Sequence, residues 1–381
     1  MIDKFKIKEN SIFYFTYTLL LICSIMSNVK FLMSFIPYIK YFAFGLMILF
    51  FVIRIKKMSL KIIIISLIII TVLMVSYIIT GDNNILLLYL LILIYPGEDF
   101  EKFIKKDIII RVVLCTIVII LYNMDLTNNY FMYRPDGRIR SSMGFAHPNN
   151  FGMYMFTICA DYVYLNYQKF KIKNYLVILI MALLIYFVSN SRTSVIGLLL
   201  LLVLIFLSQK LKIKYLYNNF FKFIIINLPI IFIALTLIFV NLYNNHNEFV
   251  IKVNEILSNR IFYASSFLNE YDINLLGNKI NYISTQEAKL ISERASVLDN
   301  SYLSLVLNYG ILTFIIIYYL LRKIINTAYE KKDGAMLSII TVYVLICMIE
   351  SILYKYQFDI YIMYFALYLH QYSKKLGDNY E

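Results

Sequence analysis

Hydrophobic residues along this chain form long blocks, separated by short polar segments in which lysine is frequent. Blocks of about 15–20 apolar residues can cross a hydrocarbon core of ~30 Å as helices, whereas strand-like alternation is absent. Helices also satisfy their own backbone hydrogen bonds in lipid. The pattern predicts an all-α, polytopic integral membrane protein with about twelve transmembrane helices in one domain over 1–381. The expected spans are 11–27, 36–53, 62–79, 85–96, 108–123, 150–166, 175–189, 193–208, 223–241, 301–321, 335–352 and 358–370.

One span is short for a full crossing. The block 85–96 has only twelve residues, so it is expected to be re-entrant or to cross tilted in a thinned region of the bilayer, and to cross together with 62–79 or not at all. If 85–96 alone did not cross, every later loop would lie on the opposite side of the membrane. The first block, 11–27, is expected to be a span and not a cleaved secretory peptide.

The polar segments assign the two sides of the membrane. Segments on one side carry 23 of the 36 basic residues, nearly all of them lysine, and all short loops on that side are lysine-rich. Positive residues are retained in the cytoplasm, so both termini are expected to be cytoplasmic in a plasma or inner membrane protein. The net charge of +13 is spread in small groups between spans, which argues against a nucleic-acid partner.

Two segments on the other side are long. An external loop is expected at 124–149, and a large external loop at 242–300. Connections as long as the loop 242–300 usually carry function. Within it, 248–268 places apolar residues at helical spacing, which predicts an amphipathic helix lying on the membrane surface.

The expected external side is rich in arginine, whose planar guanidinium binds phosphate oxygens in pairs. These residues are candidates for holding a pyrophosphate, and the plainer alternative is contact with lipid headgroups. Arg192 lies in a hairpin, 189–195, so short that the side chain must sit at the membrane boundary. It is expected either to extend towards headgroups or to enter a polar pocket with neighbouring Ser and Thr residues. The external candidates are Arg134, Arg138, Arg140, Arg192, Arg260 and Arg294.

His147 precedes Pro148, Asn149 and Asn150 at the entry to a span. Proline favours a helix start, and either asparagine is a suitable cap. Capping by asparagine leaves His147 unexplained, so His147 is either structural or a catalytic or binding residue. The three histidines are far apart, the four cysteines lie in apolar blocks, and no Asp-x-Asp pair occurs in an exposed loop. No metal site and no cofactor are therefore expected.

Three stretches resemble the O-antigen and capsule polymerase and ligase superfamily, in particular the Wzy-type polymerases. They are GFAHPNNFGMY at 144–154, SNSRTSVIG at 189–197, and LSNRIFYASSFL with LLGNKI within 257–280. The ligase branch has His before an Asn-x9-Gly-x2-Thr pattern. Here Asn300, Gly310 and Thr313 fit the pattern but Asp299 stands at the His position. This departure favours a polymerase over a ligase.

The resemblance implies a GT-C-like glycosyltransferase acting on the outer face, on oligosaccharide repeat units linked to polyprenyl (undecaprenyl) pyrophosphate. It implies polymerisation into a surface polysaccharide, with membrane lipids, a flippase and chain-length regulator proteins as partners. Arg192, Arg260 and Arg294 are then expected to hold the leaving pyrophosphate without metal. Asp299 or His147 would accept the hydroxyl proton, unless Asp299 is only a helix cap. The remaining candidates, expected to bind substrate, are Arg138, Arg140, Asn149, Arg294 and Asn300.

Two other functions fit the same sequence. A flippase for lipid-linked oligosaccharides would also have many spans, although its charges would be concentrated mid-span, whereas this chain concentrates them in outer loops and at span ends. Within the spans, Asp161 and Glu350 are candidates for an ion path, and the alternative for Glu350, close to the outer end of its helix, is that it reaches the membrane interface. A ligase would transfer finished polymer to a different acceptor. A ladder of products from a lipid-linked repeat unit distinguishes the polymerase from both.

Overall fold

The protein is a bundle of α-helices. The computed structural model describes residues 2–56, 58–97, 99–128, 131–133, 137–210, 217–283, 288 and 295–370. Short 3-10 turns cover Tyr167–Lys169 and Tyr361–Tyr364, and π-helical segments cover Phe206–Lys210 and Leu305–Tyr309. The α-helices are α1 (Ile2–Ile25), α2 (Ile36–Ile55), α3 (Leu60–Thr80), α4 (Asn84–Ile94), α5 (Phe100–Asn123), α6 (Pro148–Asn166), α7 (Ile172–Val188), α8 (Arg192–Ile205), α9 (Asn219–Asn244), α10 (Glu248–Ile256), α11 (Arg260–Glu270), α12 (Ser301–Ser304), α13 (Ile311–Glu330) and α14 (Gly334–Ile346).

Several helices have the length and composition of membrane spans. Within the described ranges, α2, α3, α9, α13 and α8 with its π-helical extension to Gln209 are long and apolar enough to cross a bilayer. Large apolar side chains such as Ile78 and Phe187 are about three-quarters exposed on the bundle exterior. An exterior of this kind requires an apolar solvent. The protein is therefore an all-α membrane protein, and the figure of about twelve spans stays a prediction.

The short helix α4 is enclosed by the rest of the bundle. Every residue from Ile85 to Ile94 is buried, and the helix packs between α2 and α3. A helix with protein on all sides does not have to match the thickness of the lipid. This explains why the block that begins at Ile85 is both short and uniformly apolar.

Connecting segments fall into two groups at opposite ends of the bundle. At one end, Asn28 donates to the carbonyl of Gly144, Val29 pairs with Thr127, and Arg140 donates to Ser189. At the other end, Tyr164 donates to Asp333, and Tyr217 to Lys332. The first end, which we name the loop end, carries the segments expected to be external. Which end faces the cytoplasm stays a prediction from the lysine distribution.

The span expected at 301–321 is displaced along the chain. Residues 301–309 form α12 and a π-helical segment, and a turn at Gly310 separates them from α13. The φ of Gly310 is 91° and that of Gly277 is 93°. A Cβ on Gly277 would lie 2.1 Å from the Asn308 carbonyl oxygen, and one on Gly310 would lie 2.5 Å from the Leu275 carbonyl oxygen. The two glycines let the large loop pack directly on the backbone before α13, which breaks the expected helix.

The last two expected spans, 335–352 and 358–370, are also wrong in their bounds. Helix α14 ends at Ile346, residues 347–360 are irregular but mostly buried, and helical structure resumes with the 3-10 turn Tyr361–Tyr364 and continues as α-helix over 365–370. Side chains of neighbouring helices pair with this backbone: Ser301 donates to the Glu350 carbonyl, Arg111 to that of Gln357, and Thr157 to that of Phe358. Irregular backbone is tolerated at membrane depth only when protein surrounds it in this way.

Both long loops contain regular structure. The amphipathic helix expected over 248–268 is divided into α10 and α11, because Ser258 and Asn259 adopt positive φ between them. The two helices and the end of α9 form a small hydrophobic cluster around Val250, Ile261 and Phe267. The loop at 124–149 contains an antiparallel pair of strands, β1 (Phe131–Tyr133) and β2 (Ile139–Ser141).

Candidate functional site

At the loop end, an arginine lies between two carboxylates from distant parts of the chain. The Nη2 of Arg260 is 3.1 Å from Glu350 and 3.6 Å from Asp299. Arg260 is the first residue of α11, Asp299 immediately precedes the cap of α12, and Glu350 lies four residues past the end of α14. The large loop and the irregular segment therefore meet at this guanidinium.

Glu350 is the most enclosed member of this group, with its side chain only 8% exposed. The backbone carbonyl of Glu350 accepts a hydrogen bond of 2.6 Å from Ser301, and Thr193 of the 189–195 hairpin lies next to its carboxylate. Burial, and secondly the negative charge of Asp299, raise the pKa of Glu350 to about 7, although Arg260 acts in the opposite direction. This carboxylate can exchange a proton near neutral pH.

Helix α12 is capped by Asn300 and not by Asp299. The side-chain oxygen of Asn300 accepts hydrogen bonds from the backbone N–H groups of Tyr302 and Leu303, at 3.1 and 3.0 Å. The Asn300 amide nitrogen donates to Thr236. A cap role for Asp299 is therefore wrong, and its carboxylate faces Arg260 instead. From the sequence, Asn300 was expected to bind substrate and to be part of a family pattern. In the structure its side chain caps α12.

His147 caps α6, where asparagine was expected to do so. Its Nδ1 accepts a hydrogen bond of 3.0 Å from the backbone N–H of Asn149, and Pro148 occupies the first turn as predicted. An Nδ1 that accepts leaves the proton of the neutral ring on Nε2. Burial, and secondly the charge of Arg140, lower the pKa of His147 to about 4 against the opposite effect of Asp299. His147 is thus a neutral ring whose basic nitrogen is already occupied.

Arg140 links the two arms of the loop end. Its Nε donates to the Ser189 carbonyl at 2.8 Å, and its Nη2 donates to the side chain of Asn149. Arg138, two residues earlier, lies outside this group. It is exposed, donates to the Tyr186 hydroxyl and stacks over that ring at 5.6 Å. Arg140 and Asn149 therefore adjoin His147, whereas Arg138 contacts the end of α7.

The two other expected clamp residues are not part of the cluster around Arg260. Arg192 is the first residue of α8, and it is exposed and makes no hydrogen bond or ion pair with the residues that the structure describes. Its neighbour Thr193 is buried beside Glu350. Arg294, like Arg134, lies outside the described residues.

A second charged cluster lies inside the bundle, away from the loops. Arg111 and Asp107, one turn apart on α5, form an ion pair of 2.6 Å and are both fully buried. The Arg111 Nη2 also donates to the Tyr17 hydroxyl, and Tyr361 donates to Asp161 at 2.8 Å. This cluster brings α1, α5, α6 and the segment after α14 together. Ionisable groups buried among spans usually have a structural or proton-handling role.

The pairing of Glu350 with Arg260 was not predicted from the sequence. Glu350 had been assigned to an ion path or to the membrane interface, because only its position near a span end was visible. The sequence around Glu350 marks this residue as unusual, although not its partner, since a lone carboxylate followed by Ser351 interrupts an apolar block. Across the described ranges, no group of three or more His, Cys, Asp or Glu residues has an arrangement able to hold a metal ion.

The fold and its apolar exterior define the class of an all-α integral membrane protein with a polar, ionisable loop end. No family model, curated protein or solved structure matches the chain.

Proposed function

We propose that this protein is a polysaccharide polymerase that joins oligosaccharide repeat units carried on polyprenyl pyrophosphate. The observation that supports this function is the placement of Arg260 between Asp299 and Glu350 at the loop end. Such a site offers a cation for a departing pyrophosphate and a carboxylate for a proton, and Arg260 lies in one of the stretches that resemble the Wzy-type family.

The proposed reaction is a single displacement at the anomeric carbon of the donor chain. A hydroxyl oxygen of the acceptor repeat unit forms the new bond to that carbon, and the bond from the carbon to the pyrophosphate oxygen breaks. The bonding electrons leave with the lipid pyrophosphate. The hydroxyl proton passes to a carboxylate of the site, so that atoms and charges balance.

Glu350 is the best candidate for the proton acceptor. A base is most effective when its pKa lies near the working pH, and the pKa of Glu350 is raised to about 7. The pKa of His147 is lowered to about 4, and its Nδ1 already accepts a backbone hydrogen bond. In this proposal Asp299 holds Arg260 and raises the pKa of Glu350. Glu350 therefore replaces Asp299 and His147, the candidates from the sequence, as the proposed proton acceptor.

Arg260 is the candidate for contacting the leaving group. Its Nη2 is used by the two carboxylates, whereas its Nε has no hydrogen-bond partner among the described residues. A buried N–H group of a charged guanidinium is a strong donor to a phosphate oxygen. Arg192, exposed at the same end, is proposed as a second contact for the lipid pyrophosphate, together with Arg294.

The test is reconstitution of the purified protein in proteoliposomes with a lipid-linked repeat unit. A ladder of products that differ by one repeat unit is the expected result, and its loss in Glu350→Gln, with unchanged folding, supports the assigned site. Addition of preformed polymer to a different acceptor, without a ladder, would instead indicate a ligase.

A second candidate function is transport of lipid-linked oligosaccharide. The buried group formed by Asp107, Arg111 and Asp161 favours it, because charges within the membrane are typical of proton-coupled transporters. The same proteoliposomes separate the two functions. Movement of unpolymerised repeat units across the bilayer, dependent on a proton gradient, would support transport and contradict the polymerase.

A further inference from the structure

A polar cavity of about 350 Å³ lies at the loop end, separate from the Arg260 cluster. It is formed between the turn that joins α3 to α4, the start of α2 and residues 280–282 of the large loop. The polar and aromatic side chains that line it are Lys40, Thr80, Asp82, Asn83, Asn84, Tyr282 and Asn308. None of these residues has a part in the proposed transfer reaction.

The carboxylate of this cavity is held in a fixed orientation. One oxygen of Asp82 accepts a hydrogen bond of 2.8 Å from the backbone N–H of Asn84, and the other accepts one of 2.6 Å from the Tyr309 hydroxyl. Each oxygen retains a second lone pair. Lys40 carries the opposite charge and attracts Asp82. The cavity therefore contains one positive and one negative group and is close to neutral as a whole.

Three amide groups face this cavity without using their hydrogen-bonding capacity on protein. The side chains of Asn83, Asn84 and Asn308 have no hydrogen-bond partner in the part of the chain that the structure describes. Asn308 is only 4% exposed, and its backbone carbonyl, not its side chain, accepts from Asn278. Buried amides are nearly always hydrogen-bonded. The Asn308 amide, which lines the cavity wall without a protein partner in the described ranges, is available to a polar ligand.

We propose that this cavity binds a neutral saccharide. Hydroxyl groups both donate and accept, so they match a set of three amides and one carboxylate, and the exposed ring of Tyr282 offers an apolar face for a sugar ring. Asp82 disfavours a phosphate, and Lys40 disfavours a cation. The balance of charges therefore selects an uncharged, polyhydroxylated ligand.

The position of the cavity suggests which saccharide it holds. Asn308 follows Asp299 by nine residues, through two extended residues, α12 and the π-helical segment, so the Cα atoms of the two residues are at most about 18 Å apart. A short oligosaccharide can occupy both places at once. We assign the cavity as a subsite for a sugar of the acceptor repeat unit that lies one or more sugar units away from the reacting hydroxyl. This assignment rests on the proposed function.

The experiment measures binding directly and needs no turnover. The probe is the repeat-unit oligosaccharide released from its lipid by mild acid, titrated calorimetrically into the full-length protein in detergent. Asn308→Leu keeps the branching and the number of heavy atoms of the side chain and removes its hydrogen-bonding groups, and Asn84→Ala removes a second amide. Each is expected to weaken binding by about threefold to tenfold, the range for one neutral hydrogen bond. Asn269→Ala, at an exposed position of α11, is the matched control and should bind as the wild type does.

The outcomes for the cavity and for the polymerase are separable. Glu350→Gln should abolish the product ladder and leave oligosaccharide binding unchanged. Binding that depends on Asn308 supports the cavity even if no ladder forms, a result that would refute only the polymerase. A ladder together with oligosaccharide binding that neither substitution weakens would overturn the cavity, as would a wild type that does not bind the oligosaccharide. Loss of inorganic pyrophosphate binding in Asn308→Leu would also overturn it, since it would make this an anion site.

Discussion

Replacing Asp299 by Asn should move the pH dependence of transfer without abolishing it. If Glu350 is the proton acceptor, the wild-type rate rises as pH increases through about 7, because only the deprotonated carboxylate accepts a proton. Asp299 contributes to that high pKa through its negative charge. The amide in Asp299→Asn is uncharged, so the pKa of Glu350 should fall and the enzyme should stay active to lower pH.

The size of this change follows from the geometry. Both carboxylates contact the same Arg260 nitrogen, at 3.1 and 3.6 Å, so they are within about 7 Å of each other. Two charges at ~6 Å with an effective dielectric constant of about 20 repel each other by about 3 kcal/mol. Asp299 is 37% exposed, and solvent and Arg260 screen it, so we expect less than half of this value. The midpoint of the acidic limb should fall by about one pH unit, from about 7 to about 6.

The assay is the initial rate of ladder formation in proteoliposomes between pH 5 and 9. Glu350→Gln should lose activity about a hundredfold or more at every pH, the usual contribution of a general base. Asn269→Ala is the control for the effects of purification. A folded Asp299→Asn variant that is inactive throughout this range would refute the reasoning, and would return the role of the base to Asp299.

Four further results are expected. The raised pKa of Glu350 contributes about 3 kcal/mol to the free energy of unfolding. This contribution should be fully present below its ordinary pKa of 4.5 and should be lost as pH rises through about 7. Glu350→Gln should abolish that trend in thermal unfolding. Arg260→Lys and Arg192→Lys should each slow transfer roughly a hundredfold at normal abundance, and normal polymer from both would make them interfacial residues. Impermeant thiol reagents should label a cysteine at exposed 269 in whole cells but not one at exposed 171. Transfer should persist in EDTA. Loss of transfer in EDTA that is restored by adding Mg²⁺ would contradict this expectation.

The spans that face lipid were the easiest part of the fold to predict. The blocks 36–53, 62–79 and 223–241 correspond to α2, α3 and α9, whose bounds are Ile36–Ile55, Leu60–Thr80 and Asn219–Asn244. A helix exposed to lipid must be apolar along its whole length, so its sequence contains the information needed to locate it. Residues 301–309 and 347–360 are enclosed by protein, and their structure depends on partners far away in the chain.

The site was predictable in part for a similar reason. Arg260 stood out as an external arginine, Asp299 by its position in a family pattern and His147 at the entry to a span, and the structure places all three at the loop end. Which residue caps a helix depends on the local backbone and not only on the residue type. Asp299 and Asn149 are suitable types, but the backbone places Asn300 and His147 at the cap positions. Glu350 meets Arg260 across 90 positions of sequence, and no local pattern indicates that contact.

The irregular segment 347–360 has a consequence for the biogenesis of the protein. A helix such as α3 can enter a bilayer alone, because its backbone groups are paired within the helix. This segment cannot, since its carbonyls depend on hydroxyl and guanidinium groups of Ser301, Arg111 and Thr157. It must therefore leave the translocation machinery late and dock into a bundle that has already assembled. Until that moment Arg260 has no Glu350 beside it, so the proposed active centre is completed only by the last stage of insertion.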